Sequence, residues 1–350
     1  MAFSPSVITC QAPAKCRICE TDRPIKWKCI DCDNLLCNHC KEKVHPNLKN
    51  TENHRVVNIK DVGQPTAVEL NISKQYQTEL STVGYMSYCH DDSLWINNIT
   101  EKVLQRVKPE GTKLNILSSF NIKVYGMAVT QTNNLLISTN GKKLKQISNT
   151  GTLTDSGYNV SPFLPTAVHI TSDNKVLVIG VNSDYPKPGR RVVILMNENG
   201  DHERVYEHDQ HKQTISNNPK NITSTSNGNI HVVDKVSDHR LRVVVLGQGG
   251  DIINIYTGDK EINKDRSFLP TDIVTTPRDN VIVADMNTDT LHILNNVGLL
   301  MTCYKTSDRN IIYPRSLAFS PTGQLYIGCN RINRSTTKKV KLYEMTISGC

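Results

Sequence analysis

The sequence predicts a mainly β chain in which a six-bladed β-propeller follows a small cysteine-rich domain. Three observations carry this reading. Seven of the eleven cysteines fall within the first 40 residues, six of them in CxxC pairs. A short apolar motif then returns six times, at intervals of 41, 41, 54, 51 and 44 residues. Periods of about 40–50 residues, each holding several short strands, mark propeller blades, and each blade needs neighbours to bury its faces. Hydrophobic residues at 37% and charged residues at 21% of 350 positions leave enough apolar material for a core of that size.

The cysteine-rich head runs Cys16-x2-Cys19-x9-Cys29-x2-Cys32-x4-Cys37-x2-Cys40-x4-His45-x8-His54. Clustering in CxxC pairs points to metal rather than to a disulfide framework, which spreads its cysteines along the chain. Zinc takes four N or S ligands in a tetrahedron, so eight ligands make two sites. A segment of this length has almost no apolar core, and metal binding must supply its folding free energy. His39 lies inside the Cys37–Cys40 pair and is expected to be exposed. Cys10 lies outside the pattern and reads as a free thiol.

The ligand series, with LLCNHC and the closing HRVVNI, resembles the B-box of the tripartite-motif (TRIM) family, nearest its first type. A RING finger would end in another CxxC pair, whereas this series ends in two histidines. The resemblance implies interleaved ligands. One zinc takes Cys16, Cys19, Cys37 and Cys40, and the other takes Cys29, Cys32, His45 and His54. It places the B-box at 10–58 and a linker at 59–71.

From residue 72 to 350 the repeated unit is an apolar residue followed eight positions later by a second one that opens a β-rich run. The pairs are Met86/Leu94, Met127/Leu135, Val168/Val176, Ile222/Ile230, Ile273/Val281 and Leu317/Leu325. A turn triplet precedes the second member each time: DDS, TNN, DNK, NGN, RDN and TGQ. Residues 72–79 supply one strand ahead of the first repeat. It is expected to pair with VKLYEMTI near the other end and complete the sixth blade, because an unpaired edge invites aggregation. The segments VIVADMNTDTLHILNNVGLL and IHVVDKVSDHRLRVVVLGQGG resemble NHL repeats, with Asp285 and Asp234 at the strand ends. The other four are degenerate, so the propeller is NHL-like. The whole chain then resembles a shortened TRIM-type B-box/NHL protein with no RING before the B-box and no heptad segment after it.

Nothing marks an enzyme. GxGxxG, GxxxxGK[ST], GxSxG and HExxH are absent. Trp27 and Trp95 read as packing residues, and His231 and His292 as satisfied strand residues. The N-terminus has no basic start and no long apolar stretch, and no run approaches the span of a membrane helix, so a cytoplasmic protein without a membrane segment is expected.

The formal charge is +8. In the propeller, the loops joining second to third strands (97–102, 139–143, 182–191, 234–242, 285–290 and 330–339) hold 13 basic and six acidic residues. Strand alternation puts these loops on one face, with the entries to the inner strands at Gly84, Tyr125, Thr166, Lys220, Thr271 and Arg315. The expected partner-binding residues there are Tyr125, Lys187, Arg190, Arg191, Lys220, Arg240 and Arg315. A basic face attracts acidic protein segments and phosphates alike. With aromatic residues at only 5% there are few platforms for base stacking, which favours a protein partner, with RNA as the alternative class. The expected function is a zinc-binding interaction adaptor in TRIM-type ubiquitin-linked or regulatory pathways. Residual ubiquitin-ligase activity is a further alternative, because Ile18 resembles the E2-facing residue of RING fingers. Without a coiled coil the oligomeric state is left open.

Overall fold

The computed structural model describes residues 16, 18–19, 23–29, 34–48, 56–58, 69–182, 189–209, 212–331 and 339–348. The chain forms two compact units, Met1–Thr66 and Ala67–Cys350.

In the first unit, three short antiparallel strands form one sheet, with Ile25–Cys29 between Leu35–Cys37 and Val56–Asn58. A helical segment, Cys40–Val44, follows and runs into a single tight turn at His45–Asn47. The buried core is Cys16, Cys29, Leu36, Cys37 and Cys40, with Ile18, Trp27, Val44 and Val56 packed around it. His39 is exposed. The Trp27 ring lies under the Lys41 amine at 3.6 Å, and its indole N–H donates to Asn38 Oδ1 at 2.7 Å.

The second unit is a six-bladed β-propeller of four-stranded antiparallel sheets. Blades 1 to 5 use strands consecutive in sequence, with the first strand innermost. The six inner strands are Met86–Tyr88, Gly126–Val129, Leu164–Ile170, Pro219–Ser224, Pro270–Thr275 and Pro314–Phe319. Each neighbours the next, and the sixth returns to the first.

The hydrophobic motif sets one register in all six blades. The first residue of each pair faces the residue two past the second: Met86 faces Ile96, Met127 Ile137, Val168 Val178, Ile222 Val232, Ile273 Val283 and Leu317 Ile327. All twelve residues of the pairs are buried. The turn triplets work through their middle residue. Asp92, Asn133, Asn174 and Asp279 have φ of 61–64°, and Gly228 and Gly323 have 80° and 94°. Asn, Asp and Gly tolerate this left-handed backbone, which is why they recur at that position.

The ring closes as expected, through strand Glu69–Gln77. It pairs antiparallel with Lys341–Ser348 as the outermost strand of blade 6, and Tyr76 Oη donates to Glu344 Oε2 at 2.6 Å. The strand begins at Glu69 rather than at 72, so residues 69–71, expected as linker, are sheet. Leu70 drives this extension, because it buries its side chain in the core of blades 5 and 6.

Candidate functional site: a thiolate centre and a basic channel mouth

The first site is in the small unit. Cys16, Cys19, Cys37 and Cys40 bring four sulfurs within 4.8 Å of one another, and three of the four residues are fully buried. Cys19 Sγ and Cys37 Sγ are 3.8 Å apart. That is far beyond an S–S bond of about 2.05 Å. It matches the ~3.8 Å edge of a tetrahedron with Zn–S of ~2.3 Å. The Cys37 N–H points at Cys16 Sγ at 3.4 Å. Burial opposes the Cys16 thiolate, but the N–H groups of Cys19, Cys37 and Ile18 outweigh it and lower its pKa. Cys40 is pushed up, first by burial and then by the neighbouring thiols. Four sulfurs this close ionise together only around a cation, so the donor set fits zinc, for which these cysteines would be the ligands. The sequence pairs them across 21 residues, and the Ile25–Cys29/Leu35–Cys37 hairpin brings the two CxxC turns together. For the second ligand set, Cys29 and His45 are both buried, while Cys32 and His54 lie outside the described residues.

The second site is the propeller's channel mouth. In four blades a β-bulge sits directly after a proline, at Thr166, Lys220, Thr271 and Arg315. A bulge re-aims its extra residue. These four, with Gly84 and Tyr125, are the entry residues expected from the repeat. A cavity of about 300 Å³ opens here, lined by Tyr85, Tyr125, Thr166, Arg191, Asn218 and Lys220, among others. Tyr125, Arg191 and Lys220 are therefore brought together. No carboxylate lines this cavity among the described residues. The Lys220 amine is lowered, first by desolvation and then by the positive charges of Lys235 and Arg191. Arg191 Nη1 donates to the carbonyls of Asn182, Gly189 and Arg190 at 2.8–3.1 Å, and its buried Nε has no partner among the described residues.

The remaining candidates are placed differently. Arg315 is half-buried one sector away, close enough to Asp272 and Tyr85 to act on both, and its Nε is also without a partner among the described residues. Arg190 is spent on a bidentate pair with Glu207 (2.8 and 2.6 Å) and lies over the Phe163 ring at 5.1 Å. Arg240 is exposed at the start of strand Arg240–Leu246. Lys187 lies outside the described residues.

Sequence reasoning passed over Asp272. It faces the channel, a cavity of about 210 Å³, and its carboxylate accepts from the backbone N–H of Ile273 and Leu317 (2.7 Å each) and from Asn221. Burial pushes it up to about 7 against the opposing pull of those N–H groups and Arg315. These contacts tie blades 4, 5 and 6 together. No periodic signal marks it, because it occupies an ordinary strand position. Asp234 and Asp285, singled out by the repeat, are locks within their blades. Asp234 accepts from the N–H groups of Asn217 and Asn218 and pairs with Arg242, and Asp285 accepts from those of Leu269 and Asn287. His292 is only half satisfied, with Nδ1 2.8 Å from the Tyr256 hydroxyl and its buried Nε2 without a hydrogen-bond partner among the described residues, 3.5 Å from Asp285 Oδ2; His231, also expected to be satisfied, is not. Neither of its ring nitrogens has a partner among the described residues: its cross-strand neighbours are Val245, which is aliphatic, and Thr223, whose hydroxyl pairs with that of Thr275.

Residues 16–56 match the ANCHR-like B-box zinc-binding domain. No curated protein sequence matches the chain. Among solved structures, the propeller is similar to the PQQ-bound aldose sugar dehydrogenase of Streptomyces coelicolor (10% identity, 81% of this chain and 99% of that one, TM-score 0.56). It is also similar to the calcium-binding protein regucalcin of Agrobacterium tumefaciens (12% identity, 77% and 92%, TM-score 0.54) and to virginiamycin B lyase of Staphylococcus aureus (13% identity, 80% and 99%, TM-score 0.50). At these identities the likeness is one of fold alone. No helix among the described residues is long and apolar enough to cross a membrane. The chain therefore joins a B-box zinc-binding domain to a six-bladed β-propeller.

Proposed function

We propose that this protein is a non-enzymatic interaction adaptor. The propeller captures a protein partner on the face that carries the channel mouth, and the B-box, loaded with two zinc ions, mediates assembly. The observation that carries the reading is the cluster of Arg191, Lys220 and Tyr125 around a cavity with no carboxylate in its described lining. A site whose described lining holds two cations and no carboxylate, histidine or cysteine is suited to holding a group rather than to transforming it. Ile18 packs against the cysteine core, which gives it a structural role. We read the propeller as NHL-like and the chain as a TRIM-type protein acting in ubiquitin-linked or regulatory pathways. The cytoplasm suits it, since a reducing compartment preserves zinc thiolates.

The test is capture by the full-length zinc-loaded chain from cell extract. Lys220→Glu should remove the captured partner, and Lys113→Glu, on the Lys113–Asn121 strand away from the mouth, should leave it. Unchanged capture by Lys220→Glu would overturn the assignment of the face.

A further inference from the structure

Taking this face as the capture surface, we propose that its ligand is an acidic peptide segment, laid along a basic track from blade 2 to the channel mouth. The track has two parts. A broad groove of about 720 Å³ on blade 2 is lined by Lys123, Lys142 and Lys143, together with Thr139, Asn140 and the paired Lys145–Asp155. Among the described residues no ion pair neutralises Lys123, Lys142 or Lys143. The second part is the mouth, with Arg191 and Lys220. The two parts meet where the Lys123 amine lies over the Tyr125 ring, 5.1 Å from its centroid. Lys123 lines the groove and Tyr125 lines the mouth.

Charge selects the ligand's sign. Among the described residues six cations stand along the track, and the one carboxylate in its lining, Asp155, is already paired with one of them, Lys145, at 2.9 Å. The Nε of Arg191, without a partner among the described residues, is a buried donor, and leaving a buried donor unmade is costly. An anion in the mouth would also relieve the mutual repulsion of Lys220, Lys235 and Arg191.

Geometry selects peptide over single-stranded nucleic acid. Sequence-tolerant binding of bases needs aromatic faces for stacking. The described lining of the mouth offers two tyrosines, and the face of one of them, Tyr125, is already covered by Lys123. The described lining of the groove offers no aromatic ring. Spaced ammonium groups over a wide, shallow floor suit carboxylates on an extended chain, which need only point charges.

The experiment uses full-length zinc-loaded protein and a fluorescein-labelled decaglutamate peptide, followed by fluorescence anisotropy. Saturable binding should weaken by about tenfold or more in Lys142→Glu/Lys220→Glu, and should weaken again as salt rises from about 50 to 200 mM. The matched control Lys108→Glu/Lys113→Glu, with the same charge change elsewhere on blade 1, should bind like the wild type. Both lysines changed in the track are exposed, so the fold should survive, and the propeller's melting transition verifies it. Tighter binding of a uridine decamer than of decaglutamate, with the same dependence on Lys142 and Lys220, overturns the peptide assignment. So does a failure of decaglutamate to bind while Lys220→Glu still abolishes partner capture, in which case the capture reading stands without it. If the track variants alter neither peptide binding nor capture, both readings fall together.

Discussion

The two units of this chain are held together by different means. Among the described residues of the head the buried cluster is five residues, and four of them are cysteines. In the propeller each blade packs branched aliphatics against both of its neighbours: Val232, Val244 and Leu246 lie on Ile179 and Val193 on one side, and Val233, Val243 and Val245 on Val281 and Val283 on the other. Burying an aliphatic side chain of that size contributes roughly 1.5–3 kcal/mol. A cysteine core of this size contributes little by itself and gains its strength from a bound ion, with an apparent binding free energy of about 10–16 kcal/mol in zinc-finger peptides. The comparison teaches that one chain can carry a ligand-dependent fold beside a self-sufficient one. Conditions that strip metal should therefore act on one and spare the other.

Chelation should give the largest effect. A strong zinc chelator, or Cys37→Ser, is expected to abolish the structure of the head completely while the propeller's thermal transition stays in place. Circular dichroism and calorimetry on the intact chain separate the two. Loss of the propeller transition on chelation would break the comparison.

A smaller effect is expected at the seam of the ring. Removing residues 1–80 takes away strand Glu69–Gln77, with buried Leu70 and Tyr76 and the whole pairing to Lys341–Ser348. Removing residues 1–60 leaves it. The longer truncation should lose several kcal/mol, from two buried side chains of roughly 1.5–3 kcal/mol each plus an exposed sheet edge. Equal melting temperatures for the two truncations would show that the strand is dispensable.

The smallest effect is a pH dependence confined to the propeller. Burial lowers His231 from 6.5 to about 4. The folded state therefore disfavours the proton that the unfolded chain accepts. The stabilising contribution is present above pH 6.5 and is lost as pH falls towards 4, by roughly 3 kcal/mol at most. His231→Phe should flatten the acid limb of the propeller's stability curve. An identical slope in the variant would assign the acid response to other groups.

Much of this architecture was legible because it follows from local chemistry. Zinc requires four soft donors at short range, so the CxxC pairs announce the head. A left-handed turn residue admits Asn, Asp or Gly, so the triplets mark each inner hairpin, and six recurrences number the blades. Prolines ahead of Thr166, Lys220, Thr271 and Arg315 even mark the bulges, although their meaning emerges only once the register is known. What the tertiary structure alone decided is which charges act together. Arg190 and Arg191 are adjacent in sequence, yet one is taken by Glu207 and the other by three backbone carbonyls at the mouth. Lys123, outside every charged loop, reaches the ring of Tyr125, and Asp272 links three blades from an unmarked strand position. Composition and spacing set the types and the period of residues. Pairing between charges depends on distances between strands, as in Arg190–Glu207 and Arg242–Asp234, and those exist only after the sheets have formed.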